Sequence, residues 1–191
     1  RPGLSAVPGL SAVGDLADDP MVQWQRWYAE AGEAGCTEPN AFVLGTVDDD
    51  GWPQSRYILL RGADERGFTF FTNYDSAKSH QMAARPQASM LFTWLQLHRQ
   101  VRVLGEVVRV PDAESDEYFA SRPRGSQIGA WSSPQSVPIP DRAWLEQRSE
   151  VLAEIEKAAI AEQANPPKDG GILKKAGMTM EQLTTLRDDV D

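Results

Sequence analysis

Three groups of side chains in this sequence have the types and spacing to do chemistry. Arg56 and Arg61 lie on one predicted strand, QSRYILLRG at 54–62, five positions apart. Side chains alternate across a strand, so the two arginines face opposite ways unless the strand ends or bends between them. Thr72, Asn73, Ser76, Lys78 and Ser79 cluster where a predicted strand leads into a helix. Hydroxyls, a lysine and the backbone N–H groups of a helix start can seat a phosphate, though the same residues also suit plain strand-to-helix capping. The third group is SRPRGSQIGAWSSPQS at 121–136, with two arginines, several hydroxyls and two glutamines. A polar, glycine-containing loop of this kind either binds a ligand or merely connects.

These groups need elements to hold them. Asp19-Pro20 is a helix start, and MVQWQRWYAEAGEAG then sets Met21, Trp24, Trp27 and Tyr28 on one side, with Gly32 and Gly35 ending the helix. AFVLGTVD (41–48) reads as a strand and Asp49-Asp50-Gly51 as a hairpin turn into 54–62. A second turn at Asp64-Glu65-Arg66-Gly67 leads to GFTFFTN (67–73). SAKSHQMAARP (76–86) reads as a short helix stopped before Pro86, and ASMLFTWL (88–95) and RQVRVLGEVVRV (99–110) complete five strands. In the last strand Val101 and Val103 oppose Arg102 and Leu104, with a bulge expected at Gly105. Antiparallel strands joined by tight turns predict a closed or half-closed barrel. Helices follow at DAESDEYFASR and at RAWLEQRSEVLAEIEKAAIAEQ, the latter with Trp144, Leu145, Val151, Leu152, Ile155 and Ile160 as an apolar stripe.

Composition narrows the function. The chain has 191 residues and a formal net charge of −9, which excludes a general nucleic-acid binder but not a small anionic ligand met by local cations. The stretch from Arg56 to Arg109 is basic relative to its acidic flanks. Cys36 is the single cysteine, and His80 and His98 are the only histidines, so neither a disulfide nor a metal centre is expected. No apolar run approaches the ~20 residues of a membrane helix, and a reducing, cytoplasmic setting is expected. PGLSAV occurs twice in residues 2–13, and 1–18 reads as a flexible arm without the features of a signal peptide.

The segments EPNAFVLGTVD, GWPQSRYILLRG, GFTFFTNYDSAKSHQ, RPQASMLFTW, RQVRVLGEVVRV and YFASRPRGSQIGAWSSPQS together resemble the pyridoxine/pyridoxamine 5'-phosphate oxidase family, in order and spacing, over about 19–162. The resemblance implies a mainly β fold with flanking helices: an antiparallel, Greek-key-like split β-barrel that binds FMN and works as a homodimer in pyridoxine metabolism. Residues 19–162 would be the FMN-binding domain and 163–191 a divergent tail. The family's R-x-x-L-L-K motif falls on Arg56 to Arg61, with arginine replacing the lysine. Its Tyr-Thr pair falls on Phe71-Thr72, its Arg-Lys pair on Ala77-Lys78, and its strand glutamine on Gln100. The late Gln-Ser pair, given across the dimer, is Gln135-Ser136.

For the substrate's phosphate the family pattern points to Tyr118, Arg122 and Ser126, together with Arg61. Tyr118 and Arg122, four apart, are expected on one helix face, with Ser126 in the following loop. The implied reaction oxidises the C4' amine or alcohol of a phosphorylated pyridine by hydride transfer to FMN, which dioxygen reoxidises to give pyridoxal 5'-phosphate and hydrogen peroxide. Arg61 is the catalytic candidate, a cation near the flavin's pyrimidine end that favours the reduced anion.

The resemblance breaks late. Pro166-Pro167-Lys168-Asp169-Gly170-Gly171 is similar to the family's Pro-Pro-x-x-Gly-Gly, but no tryptophan follows Trp144 and no Arg-x-His follows His98. MTMEQLTTLRDDV reads instead as a short amphipathic helix. Two further possibilities therefore stand beside the oxidase: a divergent oxidoreductase for a different amine, or a non-catalytic flavin-binding protein.

Overall fold

The computed structural model describes residues 16–164. The expected N-terminal arm as far as residue 15, the Pro-Pro segment and the C-terminal amphipathic helix lie outside those residues. Contacts divide the chain into two units. Among the described residues, one takes in 16–72 together with Lys78–Val108; the other takes in Asn73–Ala77 and 109–164.

The first unit is built on an antiparallel sheet. Strands β1 (Ala41–Val47), β2 (Pro53–Leu59), β5 (Gln87–Trp94) and β6 (Arg99–Glu106) lie in the order β2-β1-β5-β6. Strands β3 (Gly62–Asp64) and β4 (Gly67–Thr69) pair separately as a small hairpin. Alternation decides which side is core: Phe42, Leu44 and Thr46 of β1 and Met90, Phe92 and Trp94 of β5 point inward and are buried. Helix α1 (Pro20–Glu33) covers this side, capped by the Asp19 carboxylate, which accepts from the N–H groups of Met21 (2.7 Å) and Val22 (3.2 Å). Its Trp24 packs edge-on to Phe68 and Phe92. Cys36 is buried just beyond the helix, its N–H donating to the Ala31 carbonyl.

The β1–β2 turn has the expected residues. Gly51 adopts φ +88°, where glycine carries no Cβ penalty, and Asp48 closes the turn by accepting from the Trp52 N–H (2.7 Å) and Gln54 Nε2 (2.7 Å). Those bonds, with Trp52 contributing most, hold the Asp48 carboxyl below the usual carboxylate range.

Several strand expectations change: six strands stand where five were expected, with Gly62–Asp64 as an extra one, the strand read as 67–73 ends at Thr69, and the one read as 99–110 ends at Glu106. The strand read as 54–62 stops at Leu59, because its partner β1 begins at Ala41, which pairs with Leu59. The chain then switches partner, Leu60 donating to Asn40 and Arg61 to Thr69. No bulge occurs at Gly105, which pairs with Ala88 in unbroken register from Arg99 to Glu106.

The second unit is helical: α3 (Asp112–Ser121), α4 (Arg124–Ser132) and α5 (Arg142–Ala164). The segment read as a polar loop is therefore largely α4. Polar groups, not an apolar stripe, hold it. Gln127 is buried and its amide donates to the last carbonyls of α3, Phe119 (3.0 Å) and Ala120 (3.2 Å), while its oxygen accepts from Arg124 (2.7 Å). Ser132, also buried, meets Ser149 of α5 at 2.8 Å, and Arg124 pairs with Glu156. The α5 stripe is divided, with Leu145 and Leu152 half-buried and Val151 and Ile160 exposed.

Candidate functional site

Arg56 sits on the inward face of the edge strand β2, beside Leu44 in the register. Its guanidinium reaches over β1. Nη1 donates to the Thr46 hydroxyl and, at 3.3 Å each, to the carbonyls of Leu44 and Gln54; Nη2 donates to Gln81 Oε1 at 3.2 Å. Every one of these acceptors is neutral. Partial burial pulls the guanidinium's pKa below its ordinary value.

The short helix α2 (Ala77–Ala84) brings the second cation. Lys78, in its first turn, is buried, and its pKa is lowered first by burial and then by the charge of Arg56. Helix α2 is held at its middle and just past its C-terminal end. Gln81 Oε1 accepts from Thr46 (2.6 Å), and the Arg85 guanidinium grips the carbonyls of Asp48 and Asp49 in the β1–β2 turn. The charge of Arg56 thus adds to the cost of ionising Lys78, and a guanidinium and an amine are the residue types that an anion would relieve.

The remaining candidates are dispersed. In the first unit, Arg61 is exposed just past β2, and Phe71-Thr72 follow β4 half-buried. Gln100 points to the outward face of β6, opposite to the inward side that carries Arg56. In the second unit, α3 ends at Ser121, so Arg122 is not on a helix face with Tyr118: it is the extended C-cap, with φ −74° and ψ 147°, its guanidinium 5.7 Å from the Phe119 ring. Ser126 lies in the first turn of α4 rather than in a loop. Gln135 and Ser136 are exposed beyond α4, Ser136 in the left-handed region at φ 67°. Ser76 donates its hydroxyl to the Asn73 carbonyl (2.7 Å), a turn-closing bond of the capping kind.

Thr46 and Gln81 were not among the residues singled out from the sequence. Their signals are faint but physical: Thr46 is the one polar residue on the inward side of β1, and Gln81 is one helical turn from Lys78.

Comparison with known proteins identifies the class this chain belongs to. The profile of the pyridoxamine 5'-phosphate oxidase family matches residues 29–155. The pyridoxine/pyridoxamine 5'-phosphate oxidase of Cupriavidus necator is 56% identical over 146 residues, spanning 76% of this chain and 69% of that one. The protein of the same name from Burkholderia lata is 52% identical over 140 residues, 73% of this chain and 65% of that one.

Among solved structures, PhzG from Burkholderia lata 383, in complex with tetrahydrophenazine-1-carboxylic acid, superposes with a TM-score of 0.72 at 27% identity, covering 78% of this chain and 74% of that one. A pyridoxamine 5'-phosphate oxidase-related, FMN binding protein from Nostoc punctiforme shares the fold at a TM-score of 0.56 and 19% identity, over 69% of this chain and 73% of that one. The chain belongs to the pyridoxamine 5'-phosphate oxidase family and is an oxidoreductase of that FMN-dependent class.

Proposed function

We propose that this protein oxidises the C4' amine or alcohol of pyridoxamine or pyridoxine 5'-phosphate with FMN and dioxygen. The observation that carries the reading is the Arg56–Lys78 pair, whose chemistry fits the FMN phosphate: one planar fork and one point charge, with only neutral acceptors around the fork. Phe71, Thr72 and Arg61 would line the cofactor, Arg61 also facing the substrate. Tyr118, Arg122 and Ser126 would hold the substrate's phosphate. When bound, FMN would supply the hydride acceptor and its return by dioxygen; the protein's part is to bind and orient.

A second copy belongs to this reading. Gln100 lies on the face opposite to Arg56, and that outward face carries Tyr57 (73% exposed) and Leu104 (67%). A homodimer that covers it would complete a split barrel and let Gln100, Gln135 and Ser136 serve a cofactor held partly by the other copy.

The test is direct. Purified protein should be yellow and should release hydrogen peroxide with either phosphorylated pyridine. Lys78→Ala should weaken FMN more than substrate, and Arg122→Ala the reverse; equal effects on both ligands would contradict the division. The likeness to PhzG, with Ala77 in place of the family's arginine, favours one second reading, a related oxidoreductase for another reduced ring or amine. Flavin reduction by such a compound, without peroxide from either pyridine, would select it.

A further inference from the structure

We infer that Gln81 is a positioning residue: together with Thr46 it clamps the outer end of the Arg56 guanidinium and turns its Nε–Nη2 edge into the phosphate-facing side. This rests on the proposal that Arg56 holds the phosphate of FMN.

The proton order follows from the bonds. Thr46 has one hydroxyl proton, and it goes to Gln81 Oε1 at 2.6 Å. The hydroxyl can then only accept from Arg56 Nη1. Gln81 Oε1 takes a second hydrogen, from Arg56 Nη2 at 3.2 Å. Both neighbours donate, so Gln81 must present its carbonyl oxygen rather than its amide nitrogen. The closed loop links Nη1 and Nη2 through one pair of side chains, which places the clamp at the end of the fork.

A guanidinium has five N–H donors. The loop, with the carbonyls of Leu44 and Gln54, uses both Nη1 hydrogens and one on Nη2. Among the described residues, Nε–H and the second Nη2 hydrogen have no acceptor. These two are parallel and form the side edge that receives two oxygens of a phosphate or carboxylate. Because Gln81 stands three residues after Lys78, the same helical face delivers both the point charge and the clamp. An arginine held this way loses little rotamer freedom when the anion arrives.

The experiment measures binding, not turnover. Apoprotein is titrated by fluorescence quenching with FMN and, separately, with riboflavin, which lacks the phosphate. Gln81→Leu should weaken FMN about tenfold and leave riboflavin within about twofold, the size expected for losing a hydrogen bond to a charged group. Thr46→Val breaks the same loop from the other side and should act in the same direction. In an Arg56→Lys background, Gln81→Leu should have no further effect, because a lysine has no fork to orient. Equal weakening of both flavins, or a full-sized effect of Gln81→Leu in the Arg56→Lys background, would overturn the inference. Unmodified protein that binds neither flavin would sink the functional proposal itself, whereas phosphate-selective binding unchanged by both variants would sink this inference alone.

Discussion

Lys78 is an amine placed where an amine is costly. It is buried and repelled by the charge of Arg56, so its folded-state pKa lies below the 10.5 of an ordinary lysine. The unfolded chain therefore binds that proton more tightly than the folded one. Lys78 costs stability below its folded pKa, and the cost is relieved as pH rises toward 10.5. A phosphate dianion reverses the balance by favouring the charged amine. We predict that FMN affinity falls as pH climbs through Lys78's lowered pKa, before an ordinary lysine would titrate, while riboflavin affinity does not share the decline. Lys78→Met should abolish that phosphate-specific slope, weaken FMN and raise the melting temperature of the apoprotein. Titrations of both flavins at a series of pH values check the first two points; persistence of the slope in Lys78→Met would refute the assignment.

At the scale of elements, the site depends on β1 pairing closely with a strand on each side, β2 and β5. Gly45 makes that possible on the side away from Arg56: a Cβ there would stand 2.4 Å from the Ser89 hydroxyl oxygen of the paired strand. Gly45→Ala should cost about 0.5–1 kcal/mol, because the Ser89 hydroxyl has to turn away into another rotamer. The offending atom is a hydroxyl, and Ser89 Cβ is at an ordinary 3.7 Å, so Ser89→Ala in the same chain should recover most of the loss. Urea denaturation of the two single variants and the double reads this directly; additive losses would place the strain elsewhere.

The same elements explain what the sequence disclosed. Strands β1, β5 and β6 were legible because apolar residues recur with period two where one face is buried. Helix α1 was legible from Asp19-Pro20. The end of β2 at Leu59 was not, since it is set by where β1 runs out of residues to pair, a tertiary fact. Helix α4 was hidden because Gln127 and Ser132 do the burying that leucines usually do, and no apolar period marks it. Arg56 and Lys78 were visible as charges, but their meeting depends on α2 reaching β1 and β2 through Gln81, which no local pattern encodes. Thr46 and Gln81 are ordinary residues until that contact makes them neighbours.

For the whole molecule, the outward side of the sheet is the surface that the proposed dimer would cover. Tyr57, Val43, Leu91 and Arg102 lie across it in one row, with Leu104 one row along beside Ser89. Leu104 is 67% exposed, so a charge there should leave the isolated fold nearly untouched while opposing burial against another copy. Leu104→Asp should shift sedimentation from dimer to monomer and weaken FMN in step, with little change in far-ultraviolet circular dichroism. A dimer that survives the substitution would place the interface on another surface.

Cys36 gives the folded body a different kind of usefulness. It is the one thiol in these 191 residues, shut in where α1 hands the chain to β1. Whatever a thiol reagent records can only come from that junction. The speed of labelling becomes a clock for how often the corner between helix and sheet comes open, undisturbed by signals from anywhere else in these residues.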